Sequence, residues 1–166
     1  FAAKKILSDS ELKNFSIKFL FVGNGSEKER MKKLSENLGI EKSCLFLDKI
    51  PYDKMPKIYS LSEIFVLPSI PIPTWQEQFG YVLVESMACG KPVISTMSGS
   101  IPEVVGDSGV LVQPNDFLSL TSALENLIQD EQKRQELGKQ GRERAEMYCD
   151  AAKMALQYKN HYDSLL

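Results

Sequence analysis

Histidine is almost missing from this chain of 166 residues: His161 is the only one, and it lies in a C-terminal segment of helical period. No other imidazole is available as a general base, and no acidic cluster stands in as a ligand set. A protein-built metal site is therefore not expected. Cysteine is scarce as well. Cys44, Cys89 and Cys149 stand far apart, an odd number without metal-like spacing, which points to reduced thiols in a cytoplasmic protein. Cys44 falls in a strand pattern and the other two in helical ones, and burial is expected for at least two of the three. No apolar run approaches the ~20 residues that span a bilayer, and no leader-like segment is legible. The formal net charge of −2 gives no field that would gather nucleic acid along a face. Internal repeats and low-complexity stretches are also lacking.

What remains is ordinary for a globular protein, with 43% hydrophobic and 25% charged residues. A chain of this length buries roughly two-thirds of its unfolded surface without a staple, and 1–166 reads as one domain. Short apolar runs alternate with longer segments of helical period. That alternation predicts an α/β fold, a doubly wound parallel sheet with helices on both faces. The chain opens at Phe1 inside a helical pattern (Ala2 to Leu7, then Glu11 to Phe15) and reads as a fragment of something longer. Ile17 to Val22 suits a buried central strand, ended by the loop Gly23-Asn24-Gly25-Ser26. Ser26 and Glu29 have the spacing of a capping box for a helix from Glu27 to Leu38, which Gly39 closes. Further strands are expected at Cys44 to Leu47, Ile64 to Leu67, Val93 to Thr96 and Val110 to Val112, with Asp53 capping a short helix that reaches Tyr59. Helices are expected over Gly80 to Cys89, Phe117 to Ile128, Gln132 to Tyr148 (mostly polar, a solvated surface helix) and Ala151 to Leu166. Ligands of such a sheet sit beyond the carboxyl ends of its strands.

Two carboxylates carry the most information. Glu77 lies in a Trp- and Pro-containing loop and Glu85 one to two turns into the following helix, so both can face one cleft. Between them Phe79, Gly80, Tyr81 and Val82 offer first-turn N–H groups with no partner inside the helix, and with the helix dipole these make an anion site. Glu85 stands among Leu83, Val84, Met87 and Ala88, where a carboxylate needs a partner or a ligand hydroxyl. Gly23-Asn24-Gly25 follows a strand and precedes a helix, but Lys28 fills the last position of Gly-x-Gly-x-x-Gly, so a dinucleotide site is poorly supported. Trp75 either covers a sugar face or packs its own loop.

The string from Glu77 to Pro114 is specific as a whole. It includes Ser86-Met87-Ala88-Cys89-Gly90-Lys91-Pro92-Val93-Ile94-Ser95 and Gly99-Ser100-Ile101-Pro102-Glu103-Val104-Val105. It resembles the retaining GT-B glycosyltransferases that carry a Glu-x7-Glu motif, the glycosyl transferases group 1. The resemblance covers nearly all of the chain, but only the donor-binding, Rossmann-like half of such an enzyme plus C-terminal helices. It implies that Glu85 accepts hydrogen bonds from the ribose hydroxyls of a nucleoside diphosphate sugar. Glu77 would touch hydroxyls of the transferred hexose and support the oxocarbenium-like transition state. Phe79 would pack, while Gly80, Tyr81 and Val82 bind through the main chain. Gly23, Asn24 and Gly25 would line the cleft near sugar and phosphates, and main-chain groups at Lys49 and Ile50 would meet the base edge. No cofactor or metal is implied.

Gln78, Asp48, Ser98 and Ser100 depart from the family pattern, and the Gly99 to Glu103 stretch is read as a structural turn and helix start. By the same resemblance, the Arg and Lys that hold the diphosphate in such enzymes, and the domain that binds a carbohydrate or lipid-linked acceptor, are expected to precede Phe1. The fragment is thus expected to bind nucleotide weakly and to be inactive alone. Its last helix would cross to the N-terminal domain, leaving an apolar face partly bare, and the full enzyme could associate with the inner face of a membrane. Two alternatives stay open: a non-catalytic nucleotide-sugar-binding domain, and a sugar-nucleotide epimerase of the same architecture.

Overall fold

The apolar runs become five strands, each too short and too rich in branched or aromatic residues to form a helix. The computed structural model describes residues 1–165. Phe19–Val22 (β1) and Cys44–Leu47 (β2) pair in parallel, from Phe19 opposite Cys44 to Val22 opposite Leu47. Phe65–Leu67 (β3), Val93–Thr96 (β4) and Val110–Val112 (β5) form a second parallel sheet in that order. Ala2–Ser8 (α1) leads into β1, and Lys28–Asn37 (α2) connects β1 to β2. Met55–Leu61 (α3) joins the two sheets, while Tyr81–Ala88 (α4) and Ile101–Val105 (α5) are the crossovers of the second. Phe117–Gln129 (α6), Glu131–Tyr148 (α7) and Ala151–Asp163 (α8) follow.

The two-residue period of a strand sends neighbours to opposite faces, and β4 uses it fully. Ile94 joins Ile6 of α1, Leu12, and Leu124 and Leu127 of α6 in one core, against which Phe19 of β1 and Val66 of β3 also pack. Val93 joins Leu83 and Met87 of α4, Ile101 and Val105 of α5 and Ala145 of α7 in the other. Helices thus cover both faces. The first core receives side chains from β1 as well as β3, so it serves both sheets.

Three strands match their expected bounds, and β3 begins one residue later than Ile64. Several expectations are corrected. β1 is not a buried central strand: among the described residues it pairs with β2 alone, and Leu20 and Val22 are exposed on one face. Glu11 to Phe15 is a turn, because the Asp9 carboxylate accepts the Glu11 N–H (2.8 Å) and diverts the backbone from helical pairing. The capping box is not formed; the Glu29 carboxylate binds Lys32 at 2.7 Å instead, and α2 starts from Glu27 with no side-chain cap. Asp53 sits inside a 3-10 turn (Tyr52–Lys54) and caps nothing.

Gly39, with φ of 65°, does close α2, and Asp116 caps α6 by accepting the Leu118 and Ser119 N–H groups. Only Cys44 is fully buried; Cys89 and Cys149 are half-buried and stand at the ends of α4 and α7, just outside each helix. Burial pushes the Cys44 and Cys149 thiols up, away from the reactive thiolate.

The helix Gln132 to Tyr148 is more than a solvated surface element. In α7, Gly141 and Ala145 are buried against Leu83 and Met87 of α4, Gly138 against Gly90 just beyond it, and Leu137 in the first core. In α8 no residue is buried, and Met154, Leu156, Tyr158 and Tyr162 are exposed. The expected end of that helix at Leu166 lies outside the described residues. No helix among the described residues is long and apolar enough to cross a membrane.

Candidate functional site

The loop after β3 carries Glu77, and buried hydroxyls fix where it starts. Ser95 Oγ donates to the Leu67 carbonyl (2.7 Å) and Thr96 Oγ1 to the Ser69 carbonyl (2.6 Å), tying the end of β3 to β4. The loop then doubles back in a tight turn closed by reciprocal main-chain bonds between Ile72 and Trp75 (2.8 and 3.1 Å). Glu77 is held at both ends. Its carbonyl accepts the Ser100 N–H (3.2 Å), and its Oε1 accepts the Gly80 N–H (3.1 Å) at the start of α4.

Gly80 has φ of 78°, a left-handed conformation that favours glycine, and a Cβ there would also press on Leu83 Cδ1 at 3.0 Å. The Gly80 N–H is therefore taken by Glu77 rather than open. Those of Tyr81 and Val82 make no hydrogen bond to the protein among the described residues. Tyr81 and Val82 are exposed, whereas Phe79 is half-buried with its ring 4.8 Å from that of Tyr81. A surface cavity of about 710 Å³ opens beside Glu77, bounded by Trp75, Gln76, Gln78, Gly99 and Ser100. Trp75 is half exposed along its wall.

Glu85 does not line that cavity. It is half-buried on α4, and its Oε2 accepts a 2.6 Å hydrogen bond from the Tyr59 hydroxyl of α3. The partner that an acid in an apolar stretch requires is thus internal. Tyr59 is only 3% exposed, with its ring edge-on to Phe65. Burial, and then the bond to Glu85, push its phenol well above the ordinary value near 10. A raised folded-state value keeps Tyr59 protonated after the unfolded chain has ionised it. Below about pH 10 the group adds no pH dependence, and above that stability falls by up to about 1.4 kcal/mol per pH unit. Urea midpoints between pH 9 and pH 11 should fall more steeply for the native chain than for Tyr59→Phe; equal slopes would contradict the assignment.

The remaining expected residues form a second group at the ends of β1 and β2. Gly23 has φ of 134°, which favours glycine, and its N–H donates to the Leu47 carbonyl (3.2 Å). Asp48 binds Lys28 at 2.5 Å and, with the Asn24 amide oriented to satisfy its neighbours, also accepts from Asn24 at 2.7 Å. Lys28 holds the Asp48 carboxyl below the usual carboxylate range. This network joins the glycine turn to the loop after β2. Lys49 is exposed and Ile50 half-buried, and their main chains make no hydrogen bond to the protein among the described residues. No hydrogen bond among the described residues joins this group to Glu77 or Glu85; α3, which begins five residues after Ile50 and carries Tyr59, is the link. No group of three His, Cys, Asp or Glu side chains able to hold a metal is found among the described residues. Sequence reasoning missed Tyr59 and the Gly99–Ser100 clasp on Glu77, because both depend on contacts between segments distant in the chain.

The family model for glycosyl transferases group 1 matches residues 2–144. The chain belongs to that family. The matched part of this group 1 chain ends within α7, so α8 lies beyond it. The chain is 35% identical over 151 residues to the N-acetyl-alpha-D-glucosaminyl L-malate synthase of Bacillus anthracis, covering 90% of the present chain and 38% of that protein. Among solved structures, a sucrose-phosphate synthase from Thermosynechococcus elongatus superposes with a TM-score of 0.81 at 27% identity, over 99% of this chain and 41% of that one. An Anabaena protein solved in complex with UDP gives 0.80 at 24% identity over 98% of this chain and 44% of that one, a likeness of fold. The group 1 chain therefore spans about two-fifths of the length of these relatives.

Proposed function

We propose that this chain is the donor-binding domain of a retaining glycosyltransferase, one half of a GT-B enzyme. The full enzyme would move a hexose from a nucleoside diphosphate sugar to a glycan, lipid or small acceptor held by a domain outside this sequence. The observation that carries the reading is the start of α4. There a left-handed Gly80 starts the helix, the N–H groups of Tyr81 and Val82 have no protein partner among the described residues, and the Glu77 carboxylate is fixed at 3.1 Å from the Gly80 nitrogen. Such N–H groups and the helix dipole suit a diphosphate.

Glu77 then faces hexose hydroxyls from the cavity shared with Trp75, and Glu85 accepts from the ribose. Gly23, Asn24 and Gly25 border the phosphates and sugar. A Cβ at Gly25 would meet no protein atom, so the fold leaves room there for a ligand. The free main chain of Lys49 and Ile50 meets the base. The donor phosphate takes the acceptor proton on the face of attack, and the sugar keeps its configuration. The domain supplies positioning and electrostatic stabilisation of the leaving diphosphate. No cofactor or metal enters the proposal, and the cytoplasm, or the inner face of a membrane, is the proposed place of action.

Titration of the chain with UDP, GDP and ADP, followed by amide NMR, tests this. UDP comes first because a structural relative was solved with it. Shifts should cluster on 23–26, 49–51 and 79–85 for one nucleotide, identifying the base. A charge-assisted hydrogen bond is worth about 1.5–3 kcal/mol, so Glu85→Gln should weaken binding about ten- to a hundredfold. Absence of clustered shifts at millimolar concentrations of all three would overturn the reading.

A further inference from the structure

We propose that Tyr59 is a positioning residue for nucleotide recognition: its hydroxyl anchors one oxygen of Glu85, fixing the carboxylate plane before ligand arrives and presenting the remaining lone pairs to the two vicinal ribose hydroxyls. The inference rests on the reading of Glu85 given above. A glutamate has three rotatable side-chain bonds, and among the described residues the Glu85 carboxylate has no other hydrogen-bond or ion-pair partner to fix the last of them. The Tyr59 hydroxyl fixes it, at 2.6 Å to Oε2.

The anchor is itself rigid. Tyr59 is 3% exposed, packs edge-on against Phe65 of β3 with ring centroids 5.5 Å apart, and sits mid-helix in α3. Both of its side-chain torsions are therefore set by packing, not by the bond to Glu85. An ionised carboxylate has about four acceptor positions and Tyr59 uses one, so a diol still finds two suitably directed lone pairs. Tyr59 also keeps its proton at any physiological pH, since burial and Glu85 both disfavour the phenolate. As a neutral phenol it donates to Glu85 and brings no second negative charge beside the carboxylate. Ordering Glu85 during folding rather than during binding should raise affinity about two- to tenfold, the factor associated with one immobilised long side chain.

The arrangement also connects the two groups of candidate residues. α3 begins five residues after Ile50, whose main chain is proposed to meet the base, and Tyr59 reaches 26 residues along the chain to the ribose-binding carboxylate. Base and ribose contacts are thereby tied to one helix.

The test compares UDP, GDP and ADP with their 2′,3′-dideoxy forms on the native chain, Glu85→Gln and Tyr59→Phe, with amide spectra and melting curves confirming that each is folded. The native chain should prefer the ribose form of its nucleotide, and Glu85→Gln should lose that preference. Tyr59→Phe should weaken the ribose form about two- to tenfold and leave the dideoxy form unchanged. Full retention of the preference in Tyr59→Phe, with loss in Glu85→Gln, overturns the positioning role alone. Equal weakening of both forms by Tyr59→Phe also overturns it, since that marks a packing defect. A native chain indifferent to the ribose hydroxyls overturns the reading of Glu85 and this inference with it.

Discussion

Gly99→Ala should destabilise the domain by about 2–4 kcal/mol and move Glu77, although it adds a single methyl group. Gly99 has φ of 54°, and a Cβ there would stand 1.7 Å from the Glu77 carbonyl oxygen and 2.8 Å from its carbon. The obstacle is backbone, so no rotamer change relieves it. The 98–101 loop must withdraw from Glu77, breaking the 3.2 Å bond from the Ser100 N–H and opening the wall of the cavity. Amide shifts should then reach Glu77 and Gly80, whose N–H depends on the Glu77 carboxylate. Gly25→Ala is the control. Its Cβ would meet nothing within 4 Å, so stability should change by no more than about 0.5 kcal/mol. Urea denaturation of both variants decides the matter: similar stabilities would mean that the clasp on Glu77 is not tight.

How much of this was legible in the sequence depends on the range of the interactions involved. Cys44–Leu47, Val93–Thr96 and Val110–Val112 could be read to the residue because each is an apolar or β-branched run bounded by polar or turn-forming residues. The α/β class followed from their alternation with helical periods. Failures occurred where a local side chain had two possible partners. Glu29 could cap α2 or bind Lys32, and it binds Lys32. Asp9 could remain solvated or capture the Glu11 N–H, and it captures it. The Glu77 to Glu85 string marked a candidate site, but what orients it was invisible, since Tyr59 lies 26 residues from Glu85 and Ser100 lies 23 from Glu77. Hydropathy also misjudged α7. Its buried stripe is built from Gly138, Gly141 and Ala145, residues too small to register as an apolar face.

That stripe gives a prediction in which sequence and structure disagree in sign. On a solvated helix Gly138→Ala would stabilise by about 1 kcal/mol through helix propensity. In the folded chain a Cβ on Gly138 would lie 2.3 Å from the Gly90 carbonyl oxygen and 3.1 Å from its carbon. Gly90, with φ of 71°, terminates α4 by donating to the Met87 carbonyl at 2.8 Å, so the methyl group wedges α7 away from the end of the helix that carries Glu85. Gly141, where a Cβ would meet Met87 Cγ at 3.2 Å, prevents α7 from sliding to relieve the clash. Overpacking of this kind costs about 1–3 kcal/mol, and against backbone the upper part of that range applies. The net expectation is therefore a loss of about 1–2 kcal/mol, after the propensity gain is subtracted. Because the displaced element is α4, the nucleotide binding proposed for Glu85 and the Tyr81 and Val82 N–H groups should weaken with it. A higher urea midpoint in Gly138→Ala would show that α7 does not seat on α4 as closely as its glycines permit, and the backing of the site would then have to be sought elsewhere.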